Sequence, residues 1–445
     1  MSSPPPLFDR DNLPRLDERR ESLTRFLGSE ADGTYYVGHA CVLVRIHGKK
    51  FIFDAVTQRP LLLNSWLYFP PQVMDARLLD VDGVFISHFH EDHYDPRYLC
   101  QIPKGTPVYI LEQRPMFEAW LRDIGANVRT LPARKLVEVE PGVSAYAMPS
   151  EYNQIDSSFM LRGENLCVYQ GNDNFLTAQT LAQARKDVGA ADHAFVPYAY
   201  IWWYPFRLGS IDAERRDAEG QRMVTKYLDL GIEHARLLEA EVVVPCGGNL
   251  VYHDHVDSLI NRAVYTPYDF ADYAREHAPD IADRVMPLVA GDYALKVDGA
   301  SELFWARSST ETYTRRLAAF LAEWAANDPT HLSPPRATTQ ETVAFLARRI
   351  EPGEVPALDY EISFERADDP NVGLCVDLAT KSIALRPGTA GDRPWIRFVL
   401  EPVAFDAWLR EDVIFEVVLE SARFTVFRQP EVHDPKVWEV LRLYF

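Results

Sequence analysis

Two hydrophobic periods alternate along most of the chain. Between residues 34 and 54 the apolar positions run as Tyr35-Tyr36-Val37, Val42-Leu43-Val44 and Phe51-Ile52-Phe53, with a turn at His47-Gly48-Lys49-Lys50. Runs of β-branched and aromatic residues bounded by turn residues predict strands. The same signal returns at 81–86, 108–110, 143–148, 159–162, 166–169, 194–197 and 241–245. Between these runs the period changes to 3.6, predicting helices over 116–123, 181–187 and 222–239. The last of these carries its stripe at Val224, Leu228, Ile232, Ala235 and Leu238. Strand–helix–strand alternation of this kind predicts an α/β domain. The run Pro60-Leu61-Leu62-Leu63-Asn64-Ser65-Trp66-Leu67-Tyr68-Phe69-Pro70-Pro71 is too apolar for a bare loop. Either a core element or a lid over a cleft accounts for it.

The pattern changes after residue 266. Helices are predicted over 267–330, strongly amphipathic at 311–324, and Ser333-Pro334-Pro335-Arg336-Ala337-Thr338-Thr339 reads as a linker. Beyond it, strands at 374–378, 382–385 and 395–400, a helix at 402–409 and apolar runs at 413–421 and 424–428 predict an α+β unit. The chain therefore divides into a polar, flexible or draped N-terminal arm (1–30), a catalytic α/β domain (31–266), a helical connector (267–332) and a C-terminal α+β module (333–445). The pattern of that module is similar to sterol-carrier-like domains, which hold apolar ligands or mediate dimers. Its apolar strands are expected to pack on the first domain or across a homodimer.

Bulk properties narrow the function classes. A formal net charge of −19 over 445 residues disfavours nucleic acid and anionic membrane as partners. No run of about 18 apolar residues is present, and the N-terminus lacks the apolar core of a signal peptide. The five cysteines, Cys41, Cys100, Cys167, Cys246 and Cys375, are odd in number and scattered. They are read as reduced thiols in a cytoplasmic protein.

The chemistry concentrates in Ser87-His88-Phe89-His90-Glu91-Asp92-His93, directly after the strand predicted at 81–86. His88 and His90 project to one side if the strand geometry continues, and Asp92 and His93 can face a second point after the chain turns. Imidazole with carboxylate at this spacing suits zinc, iron or manganese.

This motif, with Tyr36-Val37-Gly38-His39-Ala40-Cys41 and Phe51-Ile52-Phe53-Asp54 upstream, resembles the metallo-β-lactamase fold over roughly residues 30 to 265. The resemblance implies an αββα sandwich with a two-metal site at one edge of its sheets: His88, His90, Asp92 and His93 as ligands, and Asp173 of Gly171-Asn172-Asp173 as the bridging carboxylate. The third histidine of the hydrolytic members has no counterpart in 148–158. Glu151 is the best-placed substitute and Asp156 the second. The last ligand follows Val244-Pro245 in the family; here histidines come only at His253 and His255, with His255 preferred. His39 is expected to hold a ligand through a hydrogen bond rather than to bind metal itself.

A glutamate in place of imidazole hardens the first site and favours iron over zinc. This pattern resembles the diiron oxygenase branches of the fold, those of the chloramphenicol-biosynthesis β-hydroxylase and of platensimycin-type diterpenoid hydroxylation. Asp156-Ser157-Ser158, Asn172-Asp173 and Trp203-Tyr204-Pro205 resemble the CMP-N-acetylneuraminate hydroxylase branch, without the Cys-x-His of its Rieske centre. The resemblance thus implies a monooxygenase with two iron ions, and Glu151 and Asp173 as the carboxylates that set its chemistry. O2, an external electron donor and a small-molecule substrate, free or as a CoA or carrier-protein thioester, would be its partners. The aromatic segments 66–69 and 198–206 would line an apolar pocket. A dizinc hydrolase of an ester, lactone or phosphodiester and a scaffold with a degenerate site are the alternatives.

Overall fold

The computed structural model describes residues 16–57, 60–112, 115–152, 155–253, 259–305, 308–327, 356–386, 388 and 393–444. Helix α1 (Leu16–Gly28) precedes strands β1 (Gly33–Gly38), β2 (Cys41–Ile46), β3 (Lys49–Phe53), β4 (Trp66–Tyr68) and β5 (Gly83–Phe85). Next come α2 (Pro96–Leu99), β6 (Pro107–Leu111), α3 (Pro115–Asp123), β7 (Asn127–Leu131), β8 (Leu136–Glu140), β9 (Val143–Pro149), β10 (Ser157–Arg162) and β11 (Cys167–Gln170). The domain continues with α4 (Ala178–Val188), β12 (His193–Pro197), α5 (Ala213–Leu238), β13 (Val242–Cys246), β14 (Leu250–Tyr252), α6 (Leu259–Arg262) and α7 (Pro267–His277). Strands β15 (Tyr293–Val297) and β16 (Ala300–Phe304) and helix α8 (Thr310–Asn327) follow. The C-terminal module comprises β17 (Glu361–Arg366), β18 (Asp369–Asp377), β19 (Ser382–Ala384), β20 (Trp395–Leu400), α9 (Pro402–Leu409), α10 (Phe415–Ser421), β21 (Phe424–Gln429) and α11 (Pro435–Tyr444).

Two sheets are stacked. One has eight strands in the order β16-β15-β1-β2-β3-β5-β6-β7, the other six in the order β13-β12-β11-β10-β9-β8. Period-two alternation sorts their side chains into layers. On β1 to β3, Tyr36, Val42, Val44, Phe51 and Phe53 point between the sheets, where they meet Phe159, Val168 and Phe195 of the second sheet. Their neighbours Tyr35, Val37, Leu43 and Ile52 point outward against Leu23 and Phe26 of α1 and Phe117 and Leu121 of α3. On the second sheet Tyr146, Tyr169 and Ala194 face outward against α4 and α5 through Leu181, Val224 and Leu228. Helix, sheet, sheet, helix is the layer order the resemblance implies. The stacked rings Phe53–Phe85 and Phe85–Tyr109, with centroids 4.8 Å apart, fix the end of β5 from which the histidine motif departs. Such pairs each contribute about 0.5–1.5 kcal/mol beyond burial.

Two segments differ from the sequence reading, and a third takes one of its two alternatives. Residues 16–28, assigned to a polar arm, form α1: Leu23 and Phe26 are buried and Ser22 Oγ donates to Gly291 O at 2.6 Å. Residues 293–304, read within a helical connector, form the β15–β16 hairpin on the edge of β1. The Asp298-Gly299 turn explains it, because both residues have φ > 0 (52° and 80°), as a two-residue hairpin loop requires. The segment 60–71 is a core element: β4 pairs with β14, and Trp66, Leu67, Tyr68 and Phe69 are buried. The linker at 333–339 lies outside the described residues.

The C-terminal module is a five-stranded sheet, β19-β18-β17-β20-β21, covered by helices. Its apolar side continues the outer core of the second sheet without a break, so that Trp203 packs on Phe424 and Trp438. Main-chain bonds Gly209 N to Val426 O and Val426 N to Arg207 O, both 2.8 Å, seal the junction. No helix among the described residues is long and apolar enough to cross a membrane. Cys41, Cys167, Cys246 and Cys375 are buried and Cys100 is exposed, all as free thiols.

Candidate metal centre

The motif loop leaves the C-terminal end of β5, inside the first sheet, and is anchored from below by one buried carboxylate. Asp54, at the end of β3, accepts from Ser87 N (2.8 Å), Ser87 Oγ (2.7 Å) and His93 Nδ1 (2.8 Å). A carboxylate on Nδ1 fixes the His93 tautomer, so that Nε2 carries the lone pair and faces the site. Burial raises the Asp54 pKa, while His93 and Ser87 pull it back down. Glu91 points the other way, accepting from Leu62 N at 2.9 Å, and so holds the loop without joining the site.

Among the described residues, three groups of donor atoms converge, each within 4.8 Å: His39, Asp92 and His93; His88, His93 and Asp173; His90, Glu416 and Glu420. His88 Nε2 lies 2.9 Å from His90 Nδ1, and His93 Nε2 lies 3.3 Å from Asp92 Oδ2 and 3.2 Å from Asp173 Oδ2. Basic nitrogens crowded this closely on carboxylates are what ligands sharing cations look like. Burial pushes His90 down, but the carboxylates of Glu420, Glu416 and Asp156 outweigh it and hold it up to about 9. His93 is likewise held well above its ordinary range against burial by Asp92 and Asp173, whereas burial and the neighbouring imidazoles drive His88 well below. Burial raises Glu420 to about 7, against the pull of His90. A site that draws protons onto its imidazoles in this way offers the same field to a metal dication, which would displace them.

Of the residues expected from sequence, His88, His90, Asp92, His93 and Asp173 are brought together. Glu151 is not. Its carboxylate accepts from Thr177 N (2.9 Å) and Thr180 Oγ1 (2.7 Å) and pairs with Arg134 at 3.2 Å, at the N-terminus of α4. These donors outcompete the site for it. The second candidate, Asp156, is the residue at the corner: it is buried, with Oδ1 3.9 Å from His88 Nε2. His253 is turned away as well, its Nε2 2.5 Å from Asn64 O and its ring against Trp324. His255 lies outside the described residues.

The place expected for a late histidine is filled by Gly247, with φ +81°, where an added Cβ would stand 2.9 Å from Asp173 Oδ1. His39 is drawn into the cluster instead. It occupies the β1–β2 turn with φ 54°, its carbonyl accepts from Tyr36 Oη at 2.6 Å, and its Nε2 lies 3.0 Å from Asp92 Oδ2. Its place supports ligation as readily as a hydrogen-bonding role. Glu416 and Glu420 were not singled out by the sequence reading. The signal was two acids four residues apart inside the apolar run Phe415-Glu416-Val417-Val418-Leu419-Glu420.

The cluster opens into a cavity of about 400 Å³ lined by Trp66, Tyr198, Tyr200, Trp202, Phe175 and Tyr227 besides the ligand residues. Both aromatic segments named from sequence thus contribute to it. Exposed Lys226 stands among its lining residues.

Residues 35–126 match the Metallo-beta-lactamase superfamily. A Rieske 2Fe-2S iron-sulfur protein of Mycolicibacterium smegmatis is 24% identical over 225 residues, 48% of this chain and 42% of the relative. The cytidine monophosphate-N-acetylneuraminic acid hydroxylase of Danio rerio is 30% identical over 102 residues, 22% of this chain and 17% of the relative. The chain thus spans less than half the length of these relatives. Among solved structures, CmlA, a diiron beta-hydroxylase from Streptomyces venezuelae, superposes with a TM-score of 0.39 and 18% identity over 57% of this chain and 52% of its own. Igni18, a metallo hydrolase from Ignicoccus hospitalis, gives a TM-score of 0.42 and 16% identity over 59% of this chain and 97% of its own. Two sheets stacked between helices, with this histidine motif gathered at the ends of their strands, give the chain the metallo-β-lactamase fold.

Proposed function

We propose that the protein is a hydroxylase, a non-haem diiron monooxygenase that inserts oxygen from O2 into an unactivated C–H bond of a small, largely apolar intermediate. One observation carries this reading: among the described residues, three carboxylates, Asp156, Glu416 and Glu420, stand within 4 Å of His88 or His90, where the resemblance gives hydrolytic members a third imidazole. Anionic oxygen donors favour iron, and stabilise its oxidised state, over zinc. The match to a CMP-N-acetylneuraminic acid hydroxylase supports the same class of chemistry.

When bound, the two iron ions would supply O2 activation and the oxidising power for C–H cleavage. The protein's part is geometric. Asp54 and Ser87 set the His93 tautomer, and Asp92 spans the interval between His39 and His93. The aromatic wall of Trp66, Tyr198 and Trp202 would keep water from the reacting atoms and receive the apolar body of the substrate. Lys226 is placed to meet an anionic end, such as a carboxylate or the phosphate of a thioester carrier. An external electron donor is required, and a terpenoid or acyl-thioester intermediate fits the cavity's chemistry.

Metal analysis and a visible spectrum of the aerobically purified protein test the reading. Iron near two per chain, with an iron-derived visible band, is expected. Colourless protein that holds zinc and hydrolyses a lactone or ester would replace this reading with the hydrolase.

A further inference from the structure

The site described above is built almost entirely from the sandwich, with one exception. Helix α10 belongs to the C-terminal module, yet Glu416 and Glu420 point from it into the sandwich's own cluster. They are one turn apart and so share a face. Both are buried, at 4% and 5% exposure, and both line the cavity beside His90 and Asp156. Glu420 Oε1 lies 2.8 Å from His90 Nδ1, and Glu416 Oε1 lies 3.9 Å from His90 Nε2. Among the described residues, Glu420 Oε2 meets no hydrogen-bond partner although it is buried.

Burying two carboxylates on one helical face costs several kcal/mol per ion unless cations offset it. His90 is one such cation, in reach of both. His90 Nδ1 stands 2.9 Å from His88 Nε2 and 2.8 Å from Glu420 Oε1. Neighbouring ligands of a six-coordinate ion with bonds of about 2.1 Å lie about 3 Å apart. The sandwich also grips the end of α10 by its main chain: Ser65 Oγ donates to Ser421 O at 2.6 Å and Tyr252 Oη to Glu420 O at 3.4 Å. The carboxylates are therefore held at the corner.

We propose that the C-terminal module completes the first metal position: Glu420, with Glu416 beside it, binds the divalent ion held by His88 and His90. The ion would be a hard one with a taste for oxygen, Fe²⁺ or Mn²⁺. The module is then part of the metal centre, and metal binding couples it to the sandwich. This rests on the metal-centre reading above, and the experiment separates the two.

The full chain and the variants Glu420→Gln, Glu420→Asp, Glu416→Gln and Glu151→Gln are loaded anaerobically with Fe²⁺ alone. Ions per chain are counted after gel filtration, and affinity is measured against a chelator. Hydrogen exchange over residues 415–421 is recorded with and without Fe²⁺. Wild type and Glu151→Gln are expected to hold about two ions. Glu420→Gln should lose one, or bind it roughly 10- to 100-fold more weakly, with Glu420→Asp between the two. Fe²⁺ should slow exchange in α10 of wild type and not of Glu420→Gln. Exchange in the unloaded variants shows whether they fold. Unchanged ion count, affinity and Fe²⁺-dependent slowing in both Glu420→Gln and Glu416→Gln would overturn the proposal. Wild type binding a single ion that Glu420→Gln loses would keep Glu420 as a ligand and end the dinuclear reading.

Discussion

Asp54 touches no position where a metal would sit, yet the structure makes it control one. Replacing it by asparagine keeps the shape and the acceptor for Ser87 N, 2.8 Å away. The amide's NH2 then faces His93 Nδ1, which at 2.8 Å donates to the native carboxylate. Two donors cannot share that contact, so His93 must accept there and carry its proton on Nε2. Nε2 is the atom 3.3 Å from Asp92 and 3.2 Å from Asp173, and once protonated it cannot ligate. Loss of such a supporting carboxylate costs roughly 10- to 100-fold in metal affinity, or about 1.4–2.7 kcal/mol. The fold should suffer less, because Asp54→Asn also removes a buried charge whose pKa burial raises. Chelator competition on wild type and Asp54→Asn measures the affinity, and thermal melting of metal-free protein measures the fold. A variant that binds metal within threefold of wild type would refute the tautomer argument. So would one whose loss of affinity only mirrors a loss of apo stability.

Three further outcomes are expected. His193 and His234 are fully buried, and burial lowers both to about 4. Unfolded chains take up these protons below about 6.5 while the folded one does not, so stability should fall between about pH 6.5 and 4 by up to a few kcal/mol per residue; acid melts of His193→Gln should be flatter in that window. Gly247→Ala adds a Cβ 2.9 Å from Asp173 Oδ1 at φ +81°, which should displace Asp173, lower metal content and cost about 1–3 kcal/mol, read by metal analysis and melting. Glu151→Ala should keep its metal and lose about 1 kcal/mol as the contacts to Thr177 and Thr180 disappear; loss of metal would return Glu151 to the site.

The sandwich was legible because its strands obey one rule: Tyr36, Val42 and Phe53 alternate with Tyr35, Leu43 and Ile52, and each set faces a different core. His88 to His93 were legible because they adjoin in sequence. What escaped is what tertiary contact decides. Glu151 has the right residue type in the right loop, but Thr177, Thr180 and Arg134 are nearer partners. Glu416 and Glu420 stood unremarked inside an apolar run, and only the packing of the C-terminal module on the sandwich brings them to His90. The β15–β16 hairpin was hidden by the helical pattern around it, although Asp298-Gly299 marked its turn.

That hairpin has a consequence for how the protein comes into being. It places Leu295 opposite Gly33 and Tyr293 opposite Tyr35, so the first strand of this domain waits for one of its last. Until residue 304 has been synthesised, the outer edge of β1 is an open row of amides and carbonyls. Contacts this distant in sequence are slow to close, and the unfinished sheet is open to mispairing with other chains. Expression shortened to end at residue 266, where the catalytic pattern stops, would make that transient vulnerability permanent.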